Sequence, residues 1–182
     1  MKNQYFNWRK TIESKDEMLE ALKKSLSMEE DGYKLYSEGA KKITNSLGKK
    51  MMERLAQDEQ NHIKRIKEIW GYVTGDAKEI EIAPAEITEF DEIFGRMKEQ
   101  FKDAIEDLQE VGVDDQEIID MALQLETHGH FFYEESAKKA KDDKVKKFYE
   151  MLAKEEKAHY DALQSVNKYL ENPALFFGMG YH

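Results

Sequence analysis

The second half of this 182-residue chain repeats the first half at an interval of 97 residues. Between Leu26 and His62, fifteen of the 37 positions carry the same residue 97 positions later, and the alignment needs no gap. A single duplication gives too few units for a stacked solenoid. The chain is therefore predicted to close two copies of one unit around a pseudo-two-fold axis, so that equivalent residues meet from opposite sides.

Each copy is predicted to be a hairpin of two long α-helices. Only two prolines occur, and the segments between turn signals are rich in Ala, Leu, Met, Glu and Lys, which favour helix. Capping-box spacings at Ser14 with Glu17 and at Asp114 with Glu117 mark the starts of the first and third helices. The four predicted helices cover residues 14–42, 47–70, 114–140 and 144–170.

A long crossover joins the two hairpins. Residues 71–84 contain two glycines and a β-branched strip, and they are predicted to be an irregular connection. Residues 88–111 place apolar side chains at helical spacing and are predicted to form an additional helix. The predicted fold is an all-α, ferritin-like four-helix bundle, made of two repeated helical hairpins joined by a long crossover that contains an extra helix. Its length suits a single domain over residues 1–182.

Composition excludes several classes of protein. With 28 basic and 38 acidic residues the net charge is −10, which argues against nucleic acid as a partner. No apolar run is long enough to cross a membrane, and residues 1–10 lack the apolar core of a signal peptide, so a cytoplasmic location is expected. These 182 residues contain no cysteine, which excludes disulfides, thiolate zinc sites and a rubredoxin-type iron centre within them.

The repeat carries a set of metal-ligand residue types. Each second helix contains Glu-x-x-His, whose two side chains lie on one helix face, and each first helix contributes one glutamate at the same upstream interval. In known di-iron and di-manganese bundles, two helices supply one Glu each and the other two supply Glu-x-x-His. The predicted ligands are Glu29, Glu59, His62, Glu126, Glu156 and His159.

Charge supports two metal ions at this centre. Four carboxylates neutralise two divalent ions, whereas without metal their burial would be costly and some would have to be protonated. By symmetry, Glu59 and Glu156 are predicted to bridge the ions, and Glu29 and Glu126 to bind one ion each. Nitrogen and oxygen ligands suit iron or manganese and do not exclude zinc.

Several neighbours of these residues have two interpretations. Tyr36 and Tyr133 lie two helical turns beyond Glu29 and Glu126, where their hydroxyls could hydrogen-bond a ligand carboxylate of the other hairpin and supply protons as catalytic residues; alternatively, they are ordinary core tyrosines. The glycines one turn beyond the same glutamates, Gly32 and Gly129, could leave room for a small oxidant or allow close helix packing.

Three further features leave their roles open. His130 could reach the metal, but solvent exposure or a core hydrogen bond is favoured. Asp58 and Glu155 could orient the ligand imidazoles or could be solvated. The apolar tail, residues 174–182, is expected to cover another part of the fold or a partner subunit.

The motifs resemble those of the rubrerythrin-like branch of the ferritin superfamily. The resemblance rests on E-x-x-G-x-x-x-Y at Glu29, Gly32 and Tyr36, and on LAQDEQNH, LETHGHFFYEESA and LAKEEKAH, which occupy residues 55–62, 125–137 and 152–159. It implies a non-haem site of two iron ions that reacts with hydrogen peroxide or oxygen. It also implies a homodimer or a larger homo-oligomer.

The chain departs from that family pattern in two respects. Many rubrerythrins carry a rubredoxin domain, but this cysteine-free chain would need an external electron donor, such as a separate rubredoxin. They also carry an extra glutamate one turn after the ligand of the third helix, where this chain has Gly129. The predicted function is reduction of hydrogen peroxide; the alternatives are a ferroxidase or iron-storage protein and a metal-stabilised interaction module.

Overall fold

The computed structural model describes residues 14–85 and 113–171, which contain four long α-helices and no strand. The helices are α1 (Lys15–Lys42), α2 (Ser46–Thr74), α3 (Val113–Lys139) and α4 (Asp143–Glu171). The predicted all-helical bundle is therefore confirmed. The extra helix predicted at residues 88–111 and the tail at 174–182 lie outside the described residues. Within the described part of the chain, no helix carries the long apolar stretch that a membrane crossing requires.

The start of α1 follows directly from its sequence. Ser14 Oγ accepts a hydrogen bond from the Glu17 backbone N–H at 3.2 Å, and the Ser14 N–H donates to Glu17 Oε2 at 2.7 Å. This reciprocal pair is the capping box predicted at these positions.

The end of α2 corrects the sequence prediction. Gly71 was expected to begin an irregular connection, but α2 continues through it to Thr74. Gly75 ends the helix instead, with a φ of 94° that residues with a Cβ seldom adopt. The helix continues because one glycine weakens a helix by only about 1 kcal/mol, and the left-handed cap that ends α2 forms at Gly75 instead of Gly71.

Equivalent residues cap the second helix of each hairpin. Asn45 Oδ1 accepts hydrogen bonds from two backbone N–H groups at the start of α2, and Asp142 Oδ1 does the same at the start of α4. The hydroxyl of Tyr72, near the end of α2, donates to Asp142 at 3.1 Å. The turn before α4 is therefore tied to α2 of the first hairpin. The turn before α2 is tied to the second hairpin in the same way, because it binds Asp115 of α3.

Two apolar clusters fill the two ends of the bundle. One contains residues from the end of α1, the starts of α2 and α3 and the end of α4, including Met52, Leu55 and Leu163. The other contains residues from the opposite ends of the same helices, including Ile66 and Phe148. Neighbouring helices are therefore antiparallel, and the end of α2 and the start of α3 lie at opposite ends of the bundle, as in a ferritin-like arrangement.

Candidate metal centre

Two overlapping groups of carboxylates and imidazoles lie between the apolar clusters. In each group, every residue offers one ligand atom within 4.8 Å of the ligand atoms of the others. The first quartet is Glu29, Glu59, His62 and Glu156; the second quartet is Glu59, Glu126, Glu156 and His159. Together the quartets contain all six residues predicted as ligands. Glu59 and Glu156 belong to both, as bridging residues would.

The helical repeat explains why these side chains meet. Glu29 on α1 and Glu126 on α3 occupy equivalent places in the two hairpins. On α2 and on α4, a glutamate and a histidine three residues apart share one face of the helix. Each helix thus directs its ligand-type residues toward the same central point, and the ligand role of these residues stays a prediction.

Carboxylates enclose the His62 imidazole on both sides. Its Nδ1 lies 3.0 Å from Oε2 of Glu29, 3.3 Å from Oε2 of Glu59 and 3.2 Å from Oε1 of Glu156. Its Nε2 lies 2.9 Å from Oε2 of the buried Glu155. His62 therefore presents Nδ1 to the centre and keeps Nε2 for an outer carboxylate, which is how metal-binding histidines are usually oriented.

His159 has the same orientation with longer contacts. Its Nδ1 lies 3.5 Å from Oε2 of Glu126, and its Nε2 lies 3.6 Å from Oδ2 of Asp58. The two imidazole rings are stacked, with centroids 5.6 Å apart. Asp58 and Glu155 are equivalent positions of the repeat, and these contacts favour an orienting role over a solvated one.

Arg65, which no sequence motif indicated, completes the surroundings of Glu155. Its Nη1 on α2 donates to both carboxylate oxygens of Glu155 on α4, at 2.9 and 2.8 Å. The repeat gave no signal for it, because Ala162 occupies the equivalent position. Asp58 instead binds Arg54, four residues earlier on its own helix, at 2.8 Å.

Two buried tyrosines link the hairpins across the centre. The Tyr36 hydroxyl of α1 donates to Oε1 of Glu126 on α3, and the Tyr133 hydroxyl of α3 donates to Oε1 of Glu29 on α1. Both are fully buried. The cross-hairpin hydrogen bonds considered at the sequence level are therefore present, and a role in proton delivery stays a prediction.

Burial and mutual repulsion divide the four carboxyl groups into two kinds. Burial raises the pKa values of Glu59 and Glu156 well above their usual range. The negative charge of Glu29 adds to this effect at Glu59, and that of Glu126 adds to it at Glu156. Burial acts in the same direction on Glu29, but hydrogen bonding by Glu59 and the His62 charge outweigh it and lower the Glu29 pKa to about 2. The two carboxyl groups shared by the quartets are thus the ones that hold protons.

The two histidines are strongly basic. Burial disfavours the charged imidazole, but the negative charge of Glu126 outweighs it and raises the His159 pKa to about 10. Burial of His62 is likewise outweighed, chiefly by Glu29, and its pKa is well above the usual value. In the metal-free centre, protons on these two histidines and on Glu59 and Glu156 balance the negative charge of the four carboxylates. Two divalent cations would balance the same charge when bound.

The donor atoms fit metal ions. Four ligand-type atoms of the two quartets are buried and have no hydrogen-bond partner among the described residues: Glu59 Oε2, Glu126 Oε2, Glu156 Oε1 and His159 Nδ1. Buried polar atoms are seldom left unpaired, because desolvating them costs free energy. All four belong to one quartet and are of the types that iron, manganese and zinc accept.

Gly32 and Gly129 let the helix backbones approach the shared carboxylates. A Cβ at Gly129 would lie 3.0 Å from Oε2 of Glu156, and a Cβ at Gly32 would lie 3.3 Å from Cδ of Glu59. The close-packing interpretation of these glycines is therefore favoured over open room for an oxidant.

Two other histidines lie outside both quartets. His130 Nδ1 donates a hydrogen bond to the backbone carbonyl of Ala153 at 2.8 Å, which agrees with the predicted core hydrogen bond. His128 is exposed. Neither contributes a ligand atom to the two quartets.

A small polar cavity beside the histidines shares two lining residues with a pocket on the surface. A cavity of about 10 Å³ is lined by Asp58, Asn61, His62, Arg65, Glu155 and His159. A pocket of about 240 Å³ on the surface also has Asn61 and Arg65 in its wall. The inner cavity is about the size of one water molecule, so it suits only very small molecules.

Comparison with known proteins identifies a family whose model matches most of the chain. The model of the rubrerythrin family matches residues 20–166, which include both Glu-x-x-His motifs and both upstream glutamates. No curated protein and no solved structure matched the chain.

Proposed function

The chain belongs to the rubrerythrin family, and on this basis we propose that its buried centre binds two iron ions and reduces hydrogen peroxide. The observation that carries the proposal is the pair of quartets that share Glu59 and Glu156. A centre with two ion positions and shared carboxylates suits a two-electron reaction at one place.

The residues of each quartet would hold one ion. Glu29 and His62 would bind the first, Glu126 and His159 the second, and Glu59 and Glu156 would bridge them. When bound, two iron ions supply electrons and Lewis-acid stabilisation of developing negative charge on oxygen. The chain's own contribution is to fix these ligands in an apolar interior, where charge stabilisation is strong.

Reduction of hydrogen peroxide to two water molecules requires two electrons and two protons. The buried tyrosine hydroxyls hold protons beside the ligand glutamates, Tyr36 at Glu126 Oε1 and Tyr133 at Glu29 Oε1. Burial and the adjoining carboxylates raise both tyrosine pKa values well above the usual range, so these hydroxyls stay protonated. They are placed to donate hydrogen bonds to the ligand carboxylates, and they are the proposed proton donors.

Access supports a small, uncharged substrate. The inner cavity of about 10 Å³, which shares Asn61 and Arg65 with the surface pocket, suits a molecule of the size of water or hydrogen peroxide. The electrons have to come from outside, because these 182 residues contain no cysteine for a rubredoxin-type iron centre. A separate small redox protein is the proposed donor.

The test is to load the metal-free protein anaerobically with two ferrous ions per chain and mix it with hydrogen peroxide or with dissolved oxygen. Stopped-flow near-ultraviolet absorbance follows the oxidation of iron. We expect oxidation by peroxide to be much faster than oxidation by oxygen. The Glu59→Ala variant, treated identically, is the control for iron that reacts without the complete centre.

Each other outcome would replace the proposal. Faster oxidation by oxygen, with more than two irons oxidised per chain, would indicate a ferroxidase that feeds iron storage. Metal that stays bound and is inert to both oxidants would indicate an interaction module stabilised by metal.

A further inference from the structure

The two quartets share their bridging residues but differ in their other members. In the first quartet, Glu29 Oε2 and His62 Nδ1 form a hydrogen bond of 3.0 Å. In the second quartet, the corresponding atoms of Glu126 and His159 are 3.5 Å apart, and neither has a hydrogen-bond partner in the described part of the chain. The pseudo-symmetry of the repeat is thus broken at the atoms that would bind metal.

The outer side of each imidazole shows the same difference. Nε2 of His62 lies 2.9 Å from Glu155, whose side chain is 3% exposed and is bound across the bundle by Arg65. Nε2 of His159 lies 3.6 Å from Asp58, whose side chain is 17% exposed. The His62 side chain is 2% exposed and the His159 side chain 12%. His62 is held at both nitrogens, whereas His159 is held less closely at either.

We propose that the two metal positions fill in a fixed order, the second quartet (Glu59, Glu126, Glu156 and His159) before the first (Glu29, Glu59, His62 and Glu156). This inference rests on the proposed two-metal centre. An ion in the second quartet meets donor atoms that have no hydrogen-bond partner among the described residues. An ion in the first quartet has to displace the buried bond between His62 and Glu29, which weakens its binding by about tenfold or more.

Access favours the same order. His159 is the more exposed of the two histidines, and both histidines line the inner cavity that shares Asn61 and Arg65 with the surface pocket. The second quartet is therefore both the position with unpaired donors and the position whose histidine is nearer to solvent.

The test is a titration of the metal-free full-length chain with Co²⁺ at one fixed pH. Visible absorbance reports occupancy, and a competing chelator reports affinity. Repulsion between two ions would produce a weaker second step even at a symmetrical centre. The order is therefore decided by a matched pair of variants at equivalent positions of the repeat, Glu29→Gln and Glu126→Gln.

We expect Glu29→Gln to keep the tight Co²⁺ step and lose the weak one. Glu126→Gln should lose the tight step and retain at most one ion, bound about tenfold or more weakly. Equal losses in both variants, or loss of the tight step in Glu29→Gln alone, would overturn the proposed order. If either variant does not fold by circular dichroism, the pair His62→Gln and His159→Gln makes the same comparison.

Co²⁺ binding separates this inference from the proposed function. Ordered binding in a protein whose iron form is inert to peroxide would refute the peroxidase proposal and leave the order intact. Rapid reaction with peroxide, combined with equal effects of the paired variants, would do the reverse. Failure of the native chain to bind any Co²⁺ would overturn the inference together with the metal centre.

Discussion

Gly129 is the glycine at which an added side chain would come closest to a carboxylate of the centre. A Cβ there would lie 3.0 Å from Oε2 and 3.3 Å from Cδ of Glu156. At the equivalent Gly32, the nearest atoms are Cδ of Glu59 and a methyl group of Leu125, both at 3.3 Å. The two positions therefore differ in how directly a methyl group would displace a shared carboxylate.

Gly129→Ala is expected to lower metal affinity by about tenfold, which is the lower end of the effect of disturbing residues behind a metal ligand. Gly32→Ala should have a smaller effect. Because alanine favours helix by about 1 kcal/mol over glycine, neither metal-free variant should be much less stable than the native chain. Chelator competition measures the affinity and urea unfolding the stability. Equal affinity in Gly129→Ala and the native chain would contradict the close approach to Glu156.

The proposed proton donation by Tyr36 and Tyr133 can be tested by removing their hydroxyls. Tyr36→Phe and Tyr133→Phe remove a hydroxyl without changing the ring, so each variant should still bind two metal ions. Oxidation of the iron-loaded variants by peroxide should slow by about 100-fold if the hydroxyl acts as a proton donor. Unchanged rates in both variants, with full metal content, would show that these residues are only packing partners.

At the scale of the helices, Asp115 connects the two hairpins. This fully buried residue near the start of α3 accepts hydrogen bonds from the backbone and hydroxyl of Thr44 and from the backbone of Asn45, at 2.9–3.0 Å. It fixes the turn between α1 and α2 against the other half of the molecule, and so helps to hold the metal-binding faces of both hairpins in register.

Asp115→Ala should lower the free energy of unfolding by about 3 kcal/mol, because it leaves three donors near a buried site without their acceptor. The exposed Asp120 on the same helix is the control. Asp120→Ala should change the free energy of unfolding by less than about 0.5 kcal/mol. Urea unfolding of both variants makes the comparison. Similar stabilities for the two variants would contradict the role of Asp115.

Sequence periodicity was sufficient for the helices but not for every boundary. The capping box at Ser14 and the turn at residues 43–45 follow from local hydrogen bonding, which the sequence specifies directly. The end of α2 was placed too early because Gly71 and Gly75 are both helix terminators by type, and only the backbone conformation distinguishes them. The crossover helix lies outside the described residues, so it stays a prediction.

The site was predictable to the extent that it repeats. Equivalent glutamates and histidines could be located from the 97-residue interval, because pseudo-symmetry brings such residues together. Arg65 could not, because its contact with Glu155 joins two helices that are distant in sequence and has no counterpart in the other half. The difference between the two quartets also depends on packing, which the sequence motif does not encode.

At the scale of the whole molecule, the protonated centre makes stability depend on pH. Burial of His159 is outweighed by Glu126, so the folded protein holds this proton up to a pKa of about 10, whereas the unfolded chain loses it near 6.5. The raised pKa values of His62, Glu59 and Glu156 act in the same direction. Between these limits the folded state binds more protons than the unfolded state, so stability falls as pH rises.

The metal-free protein should therefore lose stability between pH 6.5 and pH 10. Each proton held only by the folded state contributes about 1.4 kcal/mol per pH unit. The metal-loaded protein should show a flatter profile, because metal ions replace these protons. Urea unfolding across this range, with and without bound metal, measures both. A metal-free profile that is flat or rises with pH would contradict the charge assignment.

The central claim is that two helical hairpins hold a pair of metal ions through two shared glutamates. The most direct test is the count of tightly bound iron ions per chain, measured by elemental analysis after gel filtration, in the native protein and in Glu59→Ala and Glu156→Ala. We expect two ions in the native protein and fewer than two in each variant. Two tightly bound ions retained in either variant would contradict it.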